Sequence, residues 1–281
     1  QQTFSDSVHR FAAQRLAPDA LTRAHATDYP FDIAREMAGN GLLGITIAQA
    51  DGGQGGSLMD AVLAIEAVAA SCPRSADVVQ AGSFGAIRVL AEYGSGAQKE
   101  RYLTPLLKGE GIISVGMTEP EAGSAVTDLQ TSATPDGDGY RINGTKVFTS
   151  HAWYADVILA YVRFSPGVGG IGSVLIDTKA DGVSFGKQTA YQSGEEWAQS
   201  FFDNVYVDIA PLTRTSNFAD DGGIPFNDYD EDIARQLLQQ EKFDSYMVVN
   251  MIGGKSWRIG DQYISFFASV GNLFDTHYKS G

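Results

Sequence analysis

The chain has 281 residues, with 20 Lys and Arg against 34 Asp and Glu, for a formal net charge of −14. That balance argues against a phosphate-tracking nucleic-acid binder and against a basic membrane-surface protein, so no nucleic-acid partner is expected. A single cysteine, Cys72, excludes an intrachain disulfide and a cysteine metal cluster, and the four scattered histidines lack ligand spacing, so no metal site is expected.

No run of about 18 uncharged apolar residues suggests a spanning helix. The N-terminus shows no secretory leader, and the expected compartment is the cytoplasm. Residues 1–110 read as helical. Phe4, Val8, Phe11, Ala12 and Leu16 recur at helical spacing, with Pro18 expected to end the stretch. Ile33, Ala34, Met37 and Ala38 repeat the pattern before Asn40-Gly41. Ser57 is a candidate N-cap for a helix from Leu58 to Cys72, with Asp60 three residues on. Residues from Val78 to Leu90 predict one further helical segment, and Lys99 to Leu107 a shorter one closed by Lys108-Gly109.

At residue 111 the apolar period changes to two. Gly111 to Thr118, Tyr140 to Ile142, Ala155 to Phe164, Ser173 to Asp177 and Phe201 to Val207 are candidate strands, punctuated by Asp136-Gly137-Asp138-Gly139 and Asn143-Gly144. The spacing predicts an antiparallel β-domain over residues 111–208. The fold class is therefore α+β, a helical domain followed by an antiparallel β-domain. Gly167-Val168-Gly169-Gly170-Ile171-Gly172 fits GxGxxG, but strand-forming residues follow where a dinucleotide fingerprint needs a helix, so it reads as a hairpin loop.

Two strings carry chemistry. Gly116-Met117-Thr118-Glu119-Pro120-Glu121-Ala122-Gly123-Ser124 joins a strand to a rigid turn, where backbone N–H groups and the hydroxyls of Thr118 and Ser124 can face a ligand. Val147-Phe148-Thr149-Ser150 can offer an aromatic face and a hydroxyl to a flat heterocycle. His151 is the one histidine close enough to line a pocket, although a surface position is the simpler expectation. Cys72 lies in an apolar context and reads as buried.

The order of a helical domain, a β-domain and Met117-Thr118-Glu119-Pro120-Glu121-Ala122-Gly123-Ser124 resembles the acyl-CoA dehydrogenase family. Tyr140-Arg141-Ile142-Asn143-Gly144-Thr145-Lys146 and the glycine loops at 41–44 and 52–56 extend the resemblance over about residues 1–207. It implies FAD as cofactor, contacted by Val115, Met117, Thr118, Gly123 and Ser124 and by Phe148, Thr149 and Ser150, with Ser124 also touching the substrate. Phe148 stands where many members carry Trp, and Ala125 where an Asp is usual. The implied reaction is α,β-dehydrogenation of an acyl-CoA thioester, a glutamate taking the α-proton while hydride passes to the flavin. The implied partners are an electron-transfer flavoprotein as acceptor and further copies of the chain in a homo-oligomer.

In the family a C-terminal helical domain carries that glutamate. Residues 209–281 do not read as a helical bundle, so a truncated member without its catalytic glutamate is expected, either as an enzyme by descent or as a non-catalytic flavin and acyl-CoA binding fragment. Of these 73 residues 11 are aromatic, against 19 of the preceding 208, and the change marks a third zone. Val270-Gly271-Asn272-Leu273-Phe274-Asp275-Thr276-His277-Tyr278, with strands at Tyr246 to Ile252 and Tyr263 to Val270, resembles the C-terminal end of a TonB-dependent outer-membrane receptor. A chimera joined near residue 208 is the simplest reading of the two resemblances, with domains at 1–110, 111–208 and 209–281.

Overall fold

The computed structural model describes residues 2–26, 28–191 and 194–208, together with the backbone of residues 251–259 and 262–270. The chain divides into two compact units, Gln1–Phe226 and Asn227–Gly281.

The first unit opens with α1 (Gln2–Phe11), which continues through a π-helical turn at Ala12–Leu16 and a 3₁₀ turn at Ala17–Asp19 into α2 (Ala20–Ala24). Pro18 therefore does not end the helical run. It occupies a first-turn position of the 3₁₀ segment, where its missing N–H costs nothing. The next elements are α3 (Phe31–Gly39) and α4 (Leu58–Ala69). Ser57 and Asp60 form the capping box expected at the start of α4, satisfying two otherwise orphaned N–H groups reciprocally. Cys72 is buried and precedes Pro73, the first residue of α5 (Pro73–Ala81).

The single helical segment expected from Val78 to Leu90 is two helices. α5 ends at Ala81 and α6 (Ala86–Tyr93) restarts after Gly85, whose φ of 65° lies in the left-handed region. Apolar residues continue through the break, α5 burying Val78 and Val79 in the helical cluster and α6 burying Ile87 and Leu90 in the cluster shared with the sheet, so hydrophobicity alone does not reveal it. A last helical stretch comprises α7 (Gly96–Gln98), a π-helical turn at Lys99–Leu103 and α8 (Thr104–Leu107). Gly109 follows with φ 68°, and a Cβ there would meet the Ala34 backbone at 2.4 Å.

The β-domain is one eight-stranded sheet. Its strands are β1 (Ile113–Gly116), β2 (Ser132–Asp136), β3 (Gly139–Ser150), β4 (Val157–Arg163), β5 (Ile171–Asp177), β6 (Val183–Phe185), β7 (Thr189–Ala190) and β8 (Glu196–Asp208). The order β1-β4-β2-β3-β8-β6 is completed by β5 on β4 and β7 on β8. Pairing is mainly antiparallel, as the sequence predicts, but β1 runs parallel to β4 with Ile113 opposite Val157. The GxGxxG string ends in β5, which pairs antiparallel with β4, so it is the hairpin loop anticipated.

Three apolar clusters hold the unit together. One lies among α1, α3, α4 and α5, and one lies within the sheet around Ile142, Ile158, Val162 and Phe202. The third joins them: Ile87, Leu90 and Leu103 of the helical part pack with Val157, Leu159 and Leu175 of the sheet. Each such side chain stabilises the joint by about 1.5–3 kcal/mol relative to exposure. That joint, which includes Ile113 of β1, fixes α6 against β1 and so positions the site.

In the second unit, β9 (Met251–Ile259) and β10 (Gln262–Val270) form an antiparallel pair with Ile259 opposite Gln262. The strand expected at Tyr263 to Val270 coincides with β10. Of the partner strand expected at Tyr246 to Ile252, Met251 and Ile252 lie in β9 and pair with Val270 and Ser269, β9 extends on to Ile259, and residues 246–250 lie outside the described residues. The receptor-like string from Gly271 to Tyr278 lies outside the described residues. Among the described residues no helix is long and apolar enough to cross a membrane.

Candidate functional site

A cleft of about 460 Å³ opens between the α5–α6 break and the β1 and β3 ends of the sheet. Asp77, Gln80, Ala81, Phe84 and Gly85 form its helical wall. Val115, Met117, Thr118, Val147, Phe148 and Ser150 form its sheet wall, with His151 and Glu195 beside them. Five residues expected from the sequence to contact a flavin (Val115, Met117, Thr118, Phe148 and Ser150) thus come together across a gap of 30 positions in the chain, from Thr118 to Phe148. Its volume falls within the usual range of small-molecule sites, about 300–1,000 Å³.

The sheet wall is shaped by a bulge. β3 and β8 pair Lys146 with Ser200 but Thr149 with Ala198, so one extra residue is inserted on β3 between them. The bulge turns Phe148 to φ 57° and leaves its ring half-exposed at 52%, tilted against Trp197 with 4.7 Å between centroids. A left-handed aromatic residue costs of order 1–3 kcal/mol and persists only where the surroundings hold it. Here the Val147 N–H donates to the Thr118 carbonyl at 2.8 Å and the Ser114 hydroxyl donates to the Ser150 carbonyl at 2.6 Å. Simple alternation along a strand would have put Phe148 and Ser150 on one face. They do share the cleft, by way of the bulge.

The loop after β1 is anchored from below. The Glu119 carboxylate accepts from the Gln130 N–H at 2.5 Å, from the Thr131 N–H at 2.9 Å and from the Lys146 ammonium at 2.7 Å. Lys146 also donates to the Met117 carbonyl at 3.2 Å, and its side chain is fully buried. Burial pushes the Glu119 carboxyl up, but these donors pull it down further, to below its ordinary value. The pair pins both ends of the 117–131 loop to β3 and so fixes Met117 and Thr118 at the cleft.

Three expected site residues lie elsewhere. Gly123 and Ser124 are exposed on the loop, outside the cleft lining. Thr149 alternates away from the cleft into the sheet, fully buried, with its Oγ1 unpartnered.

The surface position expected for His151 is wrong. His151 is 3% exposed, with φ 57°, and lines the cleft. Its Nδ1 lies 2.9 Å from Glu196 Oε1 and its Nε2 lies 3.5 Å from Glu195 Oε1. Glu196 also accepts from the buried Arg74 of α5, so the network ties the helical wall to the start of β8. Burial pushes the Glu196 carboxyl up, but His151 and then Arg74 bring it below its ordinary value. Asp77, one turn on from Arg74, is pushed up to about 6, by burial first and then by the charge of Glu195. Neither Asp77 nor the Glu196 pairing was anticipated. The partners are 45 and 122 positions apart, and the only sequence signal was the adjacent Glu195-Glu196 at the head of a strand.

A helical domain is thus set against a mainly antiparallel sheet, with an aromatic and two hydroxyls at their junction. Residues 1–110 match the acyl-CoA dehydrogenase N-terminal domain and residues 114–205 the middle domain. Over these residues, most of its length, the chain belongs to the acyl-CoA dehydrogenase family. The short-chain-specific acyl-CoA dehydrogenase of Clostridium acetobutylicum is 32% identical over 189 residues, 66% of this chain and 50% of that protein. The solved structure described as the FAD complex of PigA is similar with a TM-score of 0.72 and 26% identity, over 81% of this chain and 60% of that one. Another, described as the electron transferring flavoprotein of Acidaminococcus fermentans, gives a TM-score of 0.70 and 26% identity, over 77% and 58%. The chain spans about half the length of the curated relatives it matches.

Proposed function

We propose that residues 1–208 form the flavin-facing and acyl-facing part of an FAD-dependent acyl-CoA dehydrogenase. The observation that carries this reading is the convergence of Val115, Met117, Thr118, Phe148 and Ser150 on one cleft opposite α5 and α6. These residues fit a flavin: a strained, half-exposed aromatic beside two hydroxyl-bearing residues suits a planar ring with polar edges. Bound FAD would supply the hydride acceptor. Phe148 would stack on the ring, and Thr118, Ser150 and nearby backbone N–H groups would bond its edge. Thr149 would contribute through its backbone. Gly123 and Ser124, on the exposed loop, would meet the more solvated parts of the cofactor and the CoA portion of the substrate.

The helical wall closes the cleft and leaves the acyl chain between Phe84 and the sheet. Hydrogen bonds to the thioester oxygen would stabilise the enolate-like charge that develops as the α-proton leaves. No residue of 1–208 is assigned as the base, so binding without turnover is the expected behaviour of this part. The domain division proposed is 1–110, 111–208 and 209–281, supported in its first two parts by the family matches. An electron-transfer flavoprotein as acceptor and a homo-oligomeric state belong to the same proposal. The single buried cysteine suits a reducing compartment, the cytoplasm.

The test is an absorbance spectrum of the chain saturated with FAD and freed of excess, before and after anaerobic addition of a short acyl-CoA. A retained flavin band, perturbed but not bleached by acyl-CoA, is expected. Bleaching would place a base within the chain, and a colourless protein would refute the proposal.

A further inference from the structure

One side chain at the end of β4, Arg163, fastens the loop that carries Gly123 and Ser124 to the hairpin loop at 165–170. Its Nε donates to the Leu129 carbonyl at 2.9 Å, its Nη2 to the Thr127 carbonyl at 2.6 Å and its Nη1 to the Gly167 carbonyl at 2.7 Å. Its backbone N–H donates to the Thr131 carbonyl at 2.7 Å. The carbonyls of Thr127, Leu129 and Thr131 are therefore all held by one residue. The N–H groups of Gln130 and Thr131 are held by the Glu119 carboxylate. Backbone that belongs to no strand must find its partners elsewhere, and here a cation serves the carbonyls and an anion serves the N–H groups. Hydrogen bonds from an ionised donor are roughly twice as strong as neutral ones. The short turn between Ser124 and this segment has bonds from the Asp128 N–H to the Ala125 carbonyl at 2.9 Å and from the Leu129 N–H to the Val126 carbonyl at 3.2 Å, and Ala125 gives it no side-chain cap. The loop is thus fixed at its base, while its tip at Gly123, Ser124 and Ala125 is exposed.

We infer that Arg163 is a positioning residue for the thioester: by holding residues 127–131 it places Ser124 for the CoA portion of an acyl-CoA. The inference rests on the acyl-CoA reading above and adds to it a residue outside the cleft. Lysine does not substitute for Arg163 in this role. An ammonium is a point charge on a flexible stem, whereas the planar guanidinium presents its donors in a fixed fork that reaches three carbonyls on two loops.

The experiment is calorimetric titration of the FAD-loaded chain with butyryl-CoA in a double-mutant cycle of Arg163→Lys and Ser124→Ala. Each single variant is expected to weaken binding about fivefold, the size of one hydrogen bond. Because Arg163 acts through Ser124, the double variant is expected to bind within about twofold of Ser124→Ala alone. A substitution that merely loosened the fold would weaken binding by the same factor in either background. That additive outcome overturns the inference, as does wild-type affinity in Arg163→Lys. Hydrogen exchange of the unliganded chain gives a readout free of substrate. Arg163→Lys is expected to exchange faster than wild type in peptides covering 124–131 and 165–170 and equally at 157–162, and unchanged exchange at 124–131 overturns the inference. If Arg163→Lys does not fold, wild type decides: butyryl-CoA must slow exchange across 124–131, and no effect there overturns the inference. Failure of wild type to bind butyryl-CoA would refute the acyl-CoA reading and this inference together. Binding that Arg163→Lys leaves intact would refute only the inference.

Discussion

Replacing Lys146 with methionine keeps most of the side-chain volume and leaves Glu119 buried without its cation. Lys146 is 0% and Glu119 6% exposed, so water cannot take over the lost interaction. Breaking one side of a buried pair generally costs about 3–5 kcal/mol. The Gln130 and Thr131 N–H groups still hold the carboxylate, so the cost should fall near the low end of that range, about 3 kcal/mol. For a chain of this size that lowers the melting temperature by roughly 6–12 °C, at about 2–4 °C per kcal/mol. Adding Glu119→Gln removes the stranded charge but keeps an acceptor for only one of the two N–H groups, which bond different carboxylate oxygens, and should restore about 1 kcal/mol. Urea unfolding followed by tryptophan fluorescence measures all four corners of this cycle. A loss below about 1 kcal/mol for Lys146→Met, or a double variant as unstable as the sum of the singles, would refute the reasoning.

The same carboxylate predicts an acid response. Its folded value lies below the ordinary 4.5, so its stabilisation is complete above that value and fades as pH falls through the folded one. Stability measured below pH 4.5 should therefore drop more steeply for wild type than for Glu119→Gln. Phe148→Gly relieves the left-handed backbone and loses the Trp197 contact, two opposed effects of about 1 kcal/mol each, so apoprotein stability should hardly change while FAD retention falls. A large loss of apoprotein stability would show that Phe148 serves the fold rather than the ligand. Gly109→Ala forces both a left-handed alanine and a clash with the Ala34 backbone, and should destabilise by more than the 1–2 kcal/mol of the conformational term alone. A melting temperature within a degree or two of wild type would contradict that.

What the sequence made legible was local. Ser57 and Asp60 announce their helix start because a capping box needs only residues three apart. The GxGxxG string could be dismissed because the following Val174, Leu175 and Ile176 suit a strand. Met117, Thr118, Phe148 and Ser150 could be singled out from short strings, and the fold brings them to one cleft. What stayed hidden depends on distant partners. His151 reads as a surface residue until Glu196 and Arg74 are folded against it. The α5–α6 break is masked by apolar residues that continue across it. Asp77 reads as one more solvated charge, and only the folded surroundings make it a partly buried one. Thr149 shows the limit of motif transfer, since a bulge next to it decides which side chains reach the cleft.

The central claim is that the cleft between the α5–α6 break and the β1 and β3 ends holds the flavin. Hydrogen exchange of the full chain with and without saturating FAD tests it directly. The account predicts slower exchange in the peptides covering residues 113–118 and 147–151, with the strands around Ile158 and Val174 unchanged. Protection confined to other segments, or none at saturation, would contradict it.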